Sequence, residues 1–178
     1  MNIVQSLPSV CLVLGGSRSG KSRYAEALIN SRGHGLYLAT AEKLDVEMGE
    51  RIKRHKARRG SNWELIEEPI DIGRIIANES KLGRPILVDC LTLWVSNMMH
   101  AEYDCIDALP AIIASAQATA ESVVFVSNEV GLGIVPDNSL AREFRDVAGL
   151  VNQSVAQAAN TVVFVAAGLP MFLKGEIS

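Results

Sequence analysis

The sequence predicts an α/β fold, a single domain over residues 1–178 whose doubly wound, largely parallel β-sheet is flanked by helices. Short runs of apolar, β-branched residues recur along the chain without alternating with polar residues, which is typical of strands buried on both faces. Helical segments lie between these runs, and strands that alternate with helices form parallel sheets through right-handed crossovers. Because no internal repeat, low-complexity stretch or linker interrupts this order, we expect one domain.

Five strands and four helices are predicted in order along the chain. The predicted strands are Val10–Leu14, Leu36–Ala39, Ile86–Cys90, Val123–Ser127 and Val162–Ala166. The predicted helices are Lys21–Asn30, Leu44–Ala57, Ile106–Ala120 and Leu140–Ala158. The second helix has Leu44, Met48 and Ile52 on one face, and the last helix carries an apolar stripe along its length. Residues 166–178 give little indication of any element.

The overall composition restricts the class of protein. A formal net charge of −3 gives no general attraction to nucleic acid, so we expect no nucleic-acid partner. Cys11, Cys90 and Cys105 have neither metal-ligand spacing nor the even number of a disulfide set, which indicates core thiols in a reducing compartment. No apolar run reaches the roughly 20 residues of a membrane span, and the N-terminus lacks the features of a signal peptide. These observations predict a cytoplasmic protein without a membrane span.

A glycine-rich segment follows the first predicted strand and leads directly into the first predicted helix. It comprises Gly15, Gly16, Ser17, Arg18, Ser19, Gly20, Lys21 and Ser22, and it matches the Walker A pattern G-x-x-x-x-G-K-[ST] in the context that the motif requires. The glycines allow backbone N–H groups to face a phosphate, helped by the positive end of the helix. Lys21 is expected to reach the β- and γ-phosphates of ATP or GTP, and the Ser22 hydroxyl to bind Mg²⁺. Although a glycine-rich turn can match by chance, the segment predicts a P-loop NTPase-like fold.

A second phosphate-site residue is expected at the end of another buried strand. Asp89 ends the run Ile86-Leu87-Val88-Asp89, where a Walker B carboxylate holds Mg²⁺ directly or through water. Two alternatives remain open. Asp89 could instead cap the turn that leads to Thr92, and Glu129, at the end of the fourth predicted strand, could bind the metal in its place.

A cluster of basic residues surrounds one histidine at the end of the second predicted helix. The cluster holds 6 of the 17 lysines and arginines, namely Arg51, Lys53, Arg54, Lys56, Arg58 and Arg59. His55 lies within it, on the stripe that carries Leu44, Met48 and Ile52. From the residues alone, the cations could complement the helix dipole, form a solvated face or make a nucleic-acid patch, with His55 packed in the core. Alternatively, the cations keep His55 neutral and nucleophilic and stabilise a triphosphate under attack.

Five segments spread over nearly the whole chain carry a resemblance to one family. They are LVLGGSRSGKSRYAEAL at 12–28, LYLATAE at 36–42, ERIKRHKARRGSNWELIEEP at 50–69, VDCLTLWVSNM at 88–98 and VSNEVGLGIVPDNSLAREFRDVAGLVNQ at 126–153. Through them the chain resembles the bifunctional adenosylcobinamide kinase / adenosylcobinamide-phosphate guanylyltransferase family of cobalamin biosynthesis. The last segment and the R-I-x-x-H-x-x-x-R block around His55 are far more specific than the Walker loop.

The resemblance implies an enzyme that carries out two steps. The first would phosphorylate the aminopropanol hydroxyl of a corrinoid, adenosylcobinamide, with ATP or GTP. The second would transfer GMP from GTP through a guanylylated histidine, giving adenosylcobinamide-GDP, and His55 corresponds to the family nucleophile. The resemblance also implies a homotrimer with active sites near subunit boundaries.

Further residues are placed near the nucleotide by the same resemblance. They are Glu42, Lys43, Leu44, Arg59, Gly60, Ser61, Asn62 and Glu67, all expected to approach the guanine nucleotide. The loop from Asn128 to Gly133 is expected at the carboxyl edge of the sheet, where doubly wound folds bind ligands. Two roles remain open for this loop: it could contact the substrate directly, or it could be a plain glycine turn between strand and helix.

Two other functions remain open from the sequence. A small-molecule kinase without a covalent intermediate would use Lys21, Ser22 and Asp89 but would leave the cluster around His55 unexplained. A GTP-binding regulatory switch would need a guanine-reading segment similar to N-K-x-D, and the sequence contains none.

Overall fold

The computed structural model describes residues 7–42 and 62–177, which form one seven-stranded sheet. The strands are β1 (Val10–Gly15), β2 (Gly35–Ala39), β3 (Trp63–Glu67), β4 (Ile86–Asp89), β5 (Val123–Asn128), β6 (Thr161–Ala166) and β7 (Leu169–Lys174). Their order across the sheet is β3-β2-β4-β5-β1-β6-β7, and every neighbouring pair is parallel except the β6–β7 hairpin. The predicted doubly wound, largely parallel sheet is confirmed.

All five predicted strands are present, with ends that differ by at most one residue. The sequence analysis did not predict the two edge strands, β3 and β7, because neither is buried on both faces. In β3, exposed Glu64 and Glu67 interrupt the apolar residues, and every residue of β7 is exposed. Pro170 interrupts the β7 pattern further, in an edge position where proline is tolerated.

Helices cover both faces of the sheet. They are α1 (Lys21–Asn30), α2 (Ile72–Glu79), α3 (Leu91–His100), α4 (Cys105–Gln117) and α5 (Ser139–Ala158). The structure confirms the predicted bounds of α1, and α5 begins one residue before its predicted start, where the Asn138 side chain caps it through the Ala141 N–H at 2.8 Å. The predicted end of α4 at Ala120 is wrong, since the helix ends at Gln117.

Three further points concern the helices. The predicted helix Leu44–Ala57 lies outside the described residues. The helices α2 and α3 were not predicted; α3 buries residues around most of its circumference, so its sequence lacks the one-sided pattern of a surface helix. Within residues 7–42 and 62–177, each helix is either too short or too polar to cross a membrane.

Alternate residues of the central strands contact two different helical layers. In β1, Leu12 packs in the cluster formed with α2 to α5, whereas Cys11 and Val13 pack in the cluster formed with α1. Burial on both faces explains why the strands are continuous apolar runs in the sequence. Cys11, Cys90 and Cys105 are buried free thiols, as the sequence predicts.

Candidate active site

The Walker loop connects β1 to α1 at the carboxyl edge of the sheet. Gly15 ends β1, residues 16–20 turn, and α1 begins at Lys21. The predicted strand–loop–helix arrangement is therefore present. Only glycine fits at Gly15, because a Cβ there would lie 2.5 Å from both the Ser19 Oγ and the Val165 carbonyl oxygen. Gly20 has a left-handed backbone, with φ at 98°, which L side chains rarely adopt.

The Lys21 side chain folds back over this loop. Lys21 is only 6% exposed, and its Nζ donates a hydrogen bond to the Gly16 carbonyl at 3.2 Å. Ser22 follows in the first turn of α1 and is partly exposed, while Ser17 and Arg18 are exposed on the outside of the loop. A buried ammonium group at the N-terminal end of a helix suits the oxygen atoms of a triphosphate.

Two neighbouring segments support the Walker loop through the backbone. The Gly168 N–H, in the turn between β6 and β7, donates to the Ser19 carbonyl at 2.8 Å, and the Glu129 N–H donates to the Gly15 carbonyl at 3.1 Å. Gly20 also packs closely on this turn, since a Cβ at Gly20 would lie 3.2 Å from the Gly168 Cα. The C-terminal hairpin, which gave little signal in the sequence, thus contacts the Walker loop directly.

Asp89 lies at the carboxyl end of β4 and is held by a tyrosine from the neighbouring strand. The Tyr37 hydroxyl donates a hydrogen bond to the Asp89 Oδ2. Tyr37 pairs in register with Leu87, so Asp89 is two residues further along on the same face. The Tyr37 ring is 1% exposed and meets the Trp63 ring edge-on, with centroids 5.7 Å apart.

The structure does not support a capping role for Asp89. The N-cap of α3 is Cys90, without a side-chain cap bond, and the Thr92 hydroxyl instead accepts a hydrogen bond from the Asn128 N–H at 2.7 Å. Glu129 lies beside the Walker loop, and its Oε1 accepts a hydrogen bond from the Gly131 N–H at 2.6 Å. Glu129 and Asp89 therefore each have one carboxylate oxygen bonded within the protein, so the structure does not decide between them as metal ligands.

The Cys90 thiol, directly after β4, is affected by the charges of both Asp89 and Lys21. Burial, followed by the negative charge of Asp89, raises the pKa of the Cys90 thiol to about 11, and the positive charge of Lys21 acts in the opposite direction. Asp89 ends β4, and Lys21 begins the helix that follows the loop after β1, so both lie at the carboxyl edge of the sheet. The two Walker side chains, 68 residues apart in sequence numbering (89 − 21), therefore lie at the same edge of the sheet.

The side chains present fit a magnesium ion that is bound mainly by phosphate and water. Mg²⁺ prefers oxygen ligands and usually takes one or two from the protein. Ser22 provides a hydroxyl, and Asp89 provides a carboxylate. The Asp89 Oδ2 accepts the hydrogen bond from Tyr37, and the Oδ1 is the oxygen that would face a metal. In the described part of the chain, no three histidine, cysteine or acidic side chains converge into a metal cage. The site thus suits a metal that arrives with a nucleotide.

The remaining predicted nucleotide contacts fall into three groups. Glu42, just past β2, and Glu67, the last residue of β3, lie at the same carboxyl edge as the Walker loop. Asn62 lies at the opposite edge, where its carbonyl accepts the Gly35 N–H at 3.1 Å, so the structure does not bring it to the Walker loop of the same chain. Outside the described residues lie Lys43, Leu44, His55, Arg59, Gly60 and Ser61. These nucleotide contacts stay predictions.

The loop from Asn128 to Gly133 lies at the carboxyl edge, as expected. Asn128 ends β5 and pairs in register with Gly15. Further along, Leu132 is 82% exposed, so this part of the loop is not packed into the core. Its contact with substrate stays a prediction.

Two residues beside the site were missed by the sequence analysis. Tyr37 carries a detectable signal, since it is a polar-tipped residue in an otherwise apolar buried strand, two positions before that strand ends. Gly168 carries no such sequence signal, because a glycine after a strand is common. Its contact with Ser19 depends on the tertiary structure.

Comparison of the sequence with protein families gives one match over most of the chain. The family described as cobinamide kinase / cobinamide phosphate guanyltransferase matches residues 11–173. The bifunctional adenosylcobalamin biosynthesis protein CobP of Pseudomonas aeruginosa is 42% identical over 93% of this chain and 97% of its own length. The bifunctional adenosylcobalamin biosynthesis protein CobU of Escherichia coli is 40% identical over 92% of this chain and 98% of its own length. The protein of the same name from Salmonella typhimurium is 41% identical over the same shares.

Solved structures share the fold at low sequence identity. An ATPase from a type III secretion system superposes with a TM-score of 0.57 and 13% identity, covering 96% of this chain and 57% of that one. The RadB recombinase superposes with a TM-score of 0.52 and 15% identity, covering 88% and 74%. These similarities confirm the P-loop NTPase-like fold. Taken with the family match and the relatives, they show that the chain belongs to the cobinamide kinase / cobinamide phosphate guanyltransferase family.

Proposed function

We propose that this protein is a bifunctional enzyme of the cobalamin nucleotide-loop pathway. It phosphorylates adenosylcobinamide with ATP or GTP and then transfers GMP from GTP to the product, giving adenosylcobinamide-GDP. The observation that carries the proposal is the Walker loop, over which Lys21 folds at the same edge of the sheet as Asp89, in a chain of this family. The names of the relatives support both activities.

In the kinase step, the chain's own groups bind and orient the triphosphate. The loop N–H groups and Lys21 bind the β- and γ-phosphates, while Ser22 and Asp89 would hold Mg²⁺, which neutralises charge on those phosphates. The acceptor hydroxyl oxygen forms a bond to the γ-phosphorus, the bond from that phosphorus to the β–γ bridging oxygen breaks, and the hydroxyl proton passes to water. Nucleoside diphosphate leaves with the bridging oxygen.

The guanylyltransferase step needs a nucleophile for the α-phosphorus of GTP. We assign this role to His55, which lies outside the described residues, because of the R-I-x-x-H block and the six cations around it. The imidazole nitrogen bonds to the α-phosphorus and pyrophosphate leaves. A phosphate oxygen of the phosphorylated corrinoid then attacks the same phosphorus, and the histidine leaves as a neutral imidazole. Contacts from Glu42, Lys43, Leu44, Arg59, Gly60, Ser61, Asn62 and Glu67 to guanine nucleotide belong to this proposal.

Self-association is part of the same proposal. The edge strand β7 exposes Leu169, Phe172 and Leu173 by 69%, 47% and 62%, which supports burial of this strand against another molecule. The family resemblance supplies the number of subunits, three. We propose a cytoplasmic homotrimer, which size-exclusion chromatography with light scattering would test.

Mass spectrometry after incubation with GTP and Mg²⁺ tests the central claim. A covalent GMP adduct is expected on the wild type, labile in acid and stable in base as a phosphoramidate is. The chain has three histidines, so His34→Ala and His100→Ala are matched controls that should keep the adduct. The His55→Ala variant should lose the adduct and guanylyl transfer yet retain phosphorylation of adenosylcobinamide.

Two other results would favour the competing functions. Phosphorylation without any adduct on the wild type would indicate a simple kinase. Nucleotide binding without transfer to any corrinoid would indicate a switch. An adduct that persists in His55→Ala would remove His55 from the mechanism.

A further inference from the structure

Four buried polar atoms in the Walker loop, at the end of β5 and on α5 have no hydrogen-bond partner among residues 7–42 and 62–177. These atoms are the Ser19 Oγ, the Asn128 Oδ1, the Arg145 Nη1 and the Asn152 Oδ1. Buried polar groups are nearly always hydrogen-bonded in native proteins, and those that are not require a specific explanation. Four of them on three neighbouring elements suggest a place built for a ligand.

Two of the four atoms are fixed next to the first glycine of the loop. Asn128 pairs in register with Gly15, and the Asn152 Nδ2 donates to the Asn128 carbonyl at 3.1 Å. Asn152 is 6% exposed and lies on α5. The helix is thus anchored to the carboxyl end of β5, at the level where the Walker loop begins.

Helix geometry places Arg145 above this edge of the sheet. The helix α5 runs towards the amino edge, since the Asn160 N–H, just past its end, donates to the carbonyl of Val10 at the start of β1. Arg145 is seven residues before Asn152 (152 − 145), which is nearly two full turns and therefore the same face, about 10 Å further along the axis. Side chains on helices tilt towards the N-terminus, which carries the guanidinium further over the edge.

A neighbouring arginine on the same helix shows what is unusual about Arg145. Arg142 is exposed, and its Nη1 donates to the carbonyls of Pro136 and Asp137 at 2.9 and 2.8 Å. Arg145 is partly buried, and its Nη1 is fully buried without such a partner within the described ranges. Burying part of a guanidinium without a partner lowers stability, and an anion bound beside Arg145 would supply the missing acceptor.

We propose that Arg145 donates hydrogen bonds to the phosphoryl group that is transferred in the kinase step, opposite Lys21. The inference rests on the proposed function and deepens it. As the acceptor oxygen bonds to the γ-phosphorus and the bridging P–O bond breaks, charge spreads over the transferred oxygen atoms, and a second cation from α5 stabilises that charge. The Asn128 and Asn152 side-chain oxygens accept hydrogen bonds, which suits the approaching hydroxyl of the acceptor before its proton passes to water.

Steady-state kinetics of Arg145→Met test the inference. We expect the kcat of adenosylcobinamide phosphorylation to fall by about 100-fold or more, with the Kd for the nucleotide within about threefold of wild type. Formation of the GMP adduct from GTP needs no transfer of the γ-phosphoryl group, so it should persist. Arg145→Lys should recover part of the rate, because it keeps the charge but loses the planar fork.

Chemical rescue distinguishes a role in phosphoryl transfer from a merely structural role, and a second arginine serves as the control for charge. Guanidinium ion added to Arg145→Ala should restore turnover, which it would not do if the arginine only stabilised the fold. Arg32→Met removes one positive charge from the turn before β2, at the amino edge, and should leave the kinetics unchanged.

Three results would overturn the inference. A kcat in Arg145→Met within threefold of an active wild type would do so while leaving the proposed function intact. A loss that appears wholly in nucleotide affinity would assign Arg145 to nucleotide binding rather than to the transferred group. A wild-type chain that phosphorylates no corrinoid would overturn the proposed function and this inference with it.

Discussion

The hydroxyl of Tyr37 donates a hydrogen bond to the carboxylate of Asp89 across the strands β2 and β4. The tyrosine ring is buried and is held in turn by an edge-on contact with Trp63. The carboxylate therefore has one oxygen fixed by the protein, which sets the direction of the other. Such a supporting contact commonly determines how well a ligand oxygen is oriented towards a metal.

Replacing Tyr37 with phenylalanine should weaken the metal site without removing a ligand. The change deletes only the hydroxyl, so we expect the Mg²⁺ concentration for half-maximal kinase activity to rise several-fold. The free energy of unfolding should fall by about 1–2 kcal/mol, since a hydrogen bond to a charged group is lost. Metal titrations and urea unfolding measure the two effects, with Tyr103→Phe, at a 58% exposed tyrosine, as the control. Unchanged titrations would show that the bond serves the fold alone.

Replacing Asp89 with asparagine should have a larger effect on the same titration. Asparagine keeps the shape and can still accept the Tyr37 hydrogen bond, but it lacks the charge that attracts the cation. The half-saturating Mg²⁺ concentration should rise by about tenfold or more. Asp107→Asn, at an exposed carboxylate on α4, is the matched control. If Asp89→Asn and the wild type titrate alike, Glu129 becomes the candidate ligand.

Replacing Lys21 with alanine should greatly reduce the kinase step. The variant loses one preorganised positive charge at the β- and γ-phosphates, which corresponds to roughly 3 kcal/mol of transition-state stabilisation. Turnover should fall by roughly a hundredfold. Circular dichroism should show an intact fold, and Lys81→Ala, at an exposed lysine, should behave as wild type. Turnover within a few-fold of wild type would rule out the Walker assignment.

Two glycines should respond in opposite ways to alanine. At Gly15, a methyl group would lie 2.5 Å from the Val165 carbonyl and from the Ser19 Oγ, so we expect a loss of about 1–3 kcal/mol in the free energy of unfolding and weaker nucleotide binding. At Gly149, inside α5, nothing lies within 4 Å, and alanine should stabilise the helix by about 1 kcal/mol. Urea unfolding of both variants measures the contrast, and equal effects would contradict the close packing at Gly15.

The buried thiols should be unreactive in the native protein. Burial raises the pKa of Cys11 to about 12, and burial, assisted by the charge of Asp104, raises that of Cys105 to about 11. Because alkylation requires the thiolate, iodoacetamide at pH 8 should modify them only after unfolding. Above pH 9, the unfolded chain releases these protons first, so stability should fall as the pH rises from about 9 to 11. Rapid modification of native protein at pH 8 would contradict this burial.

Local sequence pattern predicts the central sheet and the Walker loop well. Strands such as β1 and β5 are buried on both faces, so their apolar runs report their environment directly. All residues of the motif from Gly15 to Ser22 are consecutive in the chain, so the motif can be recognised from the sequence alone. Both features depend on neighbours close in the chain.

Contacts between distant residues account for what the sequence did not reveal. Tyr37 and Asp89 are 52 residues apart, and Asn128 and Asn152 are 24 apart, so no local period links them. The strand β7 has no buried face within the chain, which removes the signal on which strand prediction depends. Arg145 could not be singled out from the sequence either, because the lack of a partner for its Nη1 is apparent only once α5 is packed over the sheet.

The hydrogen bond from Gly168 to Ser19 joins the outermost edge of the sheet to the loop that would hold the phosphates. The turn that makes this bond also begins β7, whose apolar side chains are exposed. If a second subunit covers β7, then subunit association and nucleotide binding act on the same turn and become thermodynamically linked. Linkage is reciprocal, so a nucleotide that tightened the oligomer would itself bind more tightly to the assembled protein, by the same factor. Dilution would then lower the apparent affinity for nucleotide, although no residue that touches the nucleotide had changed.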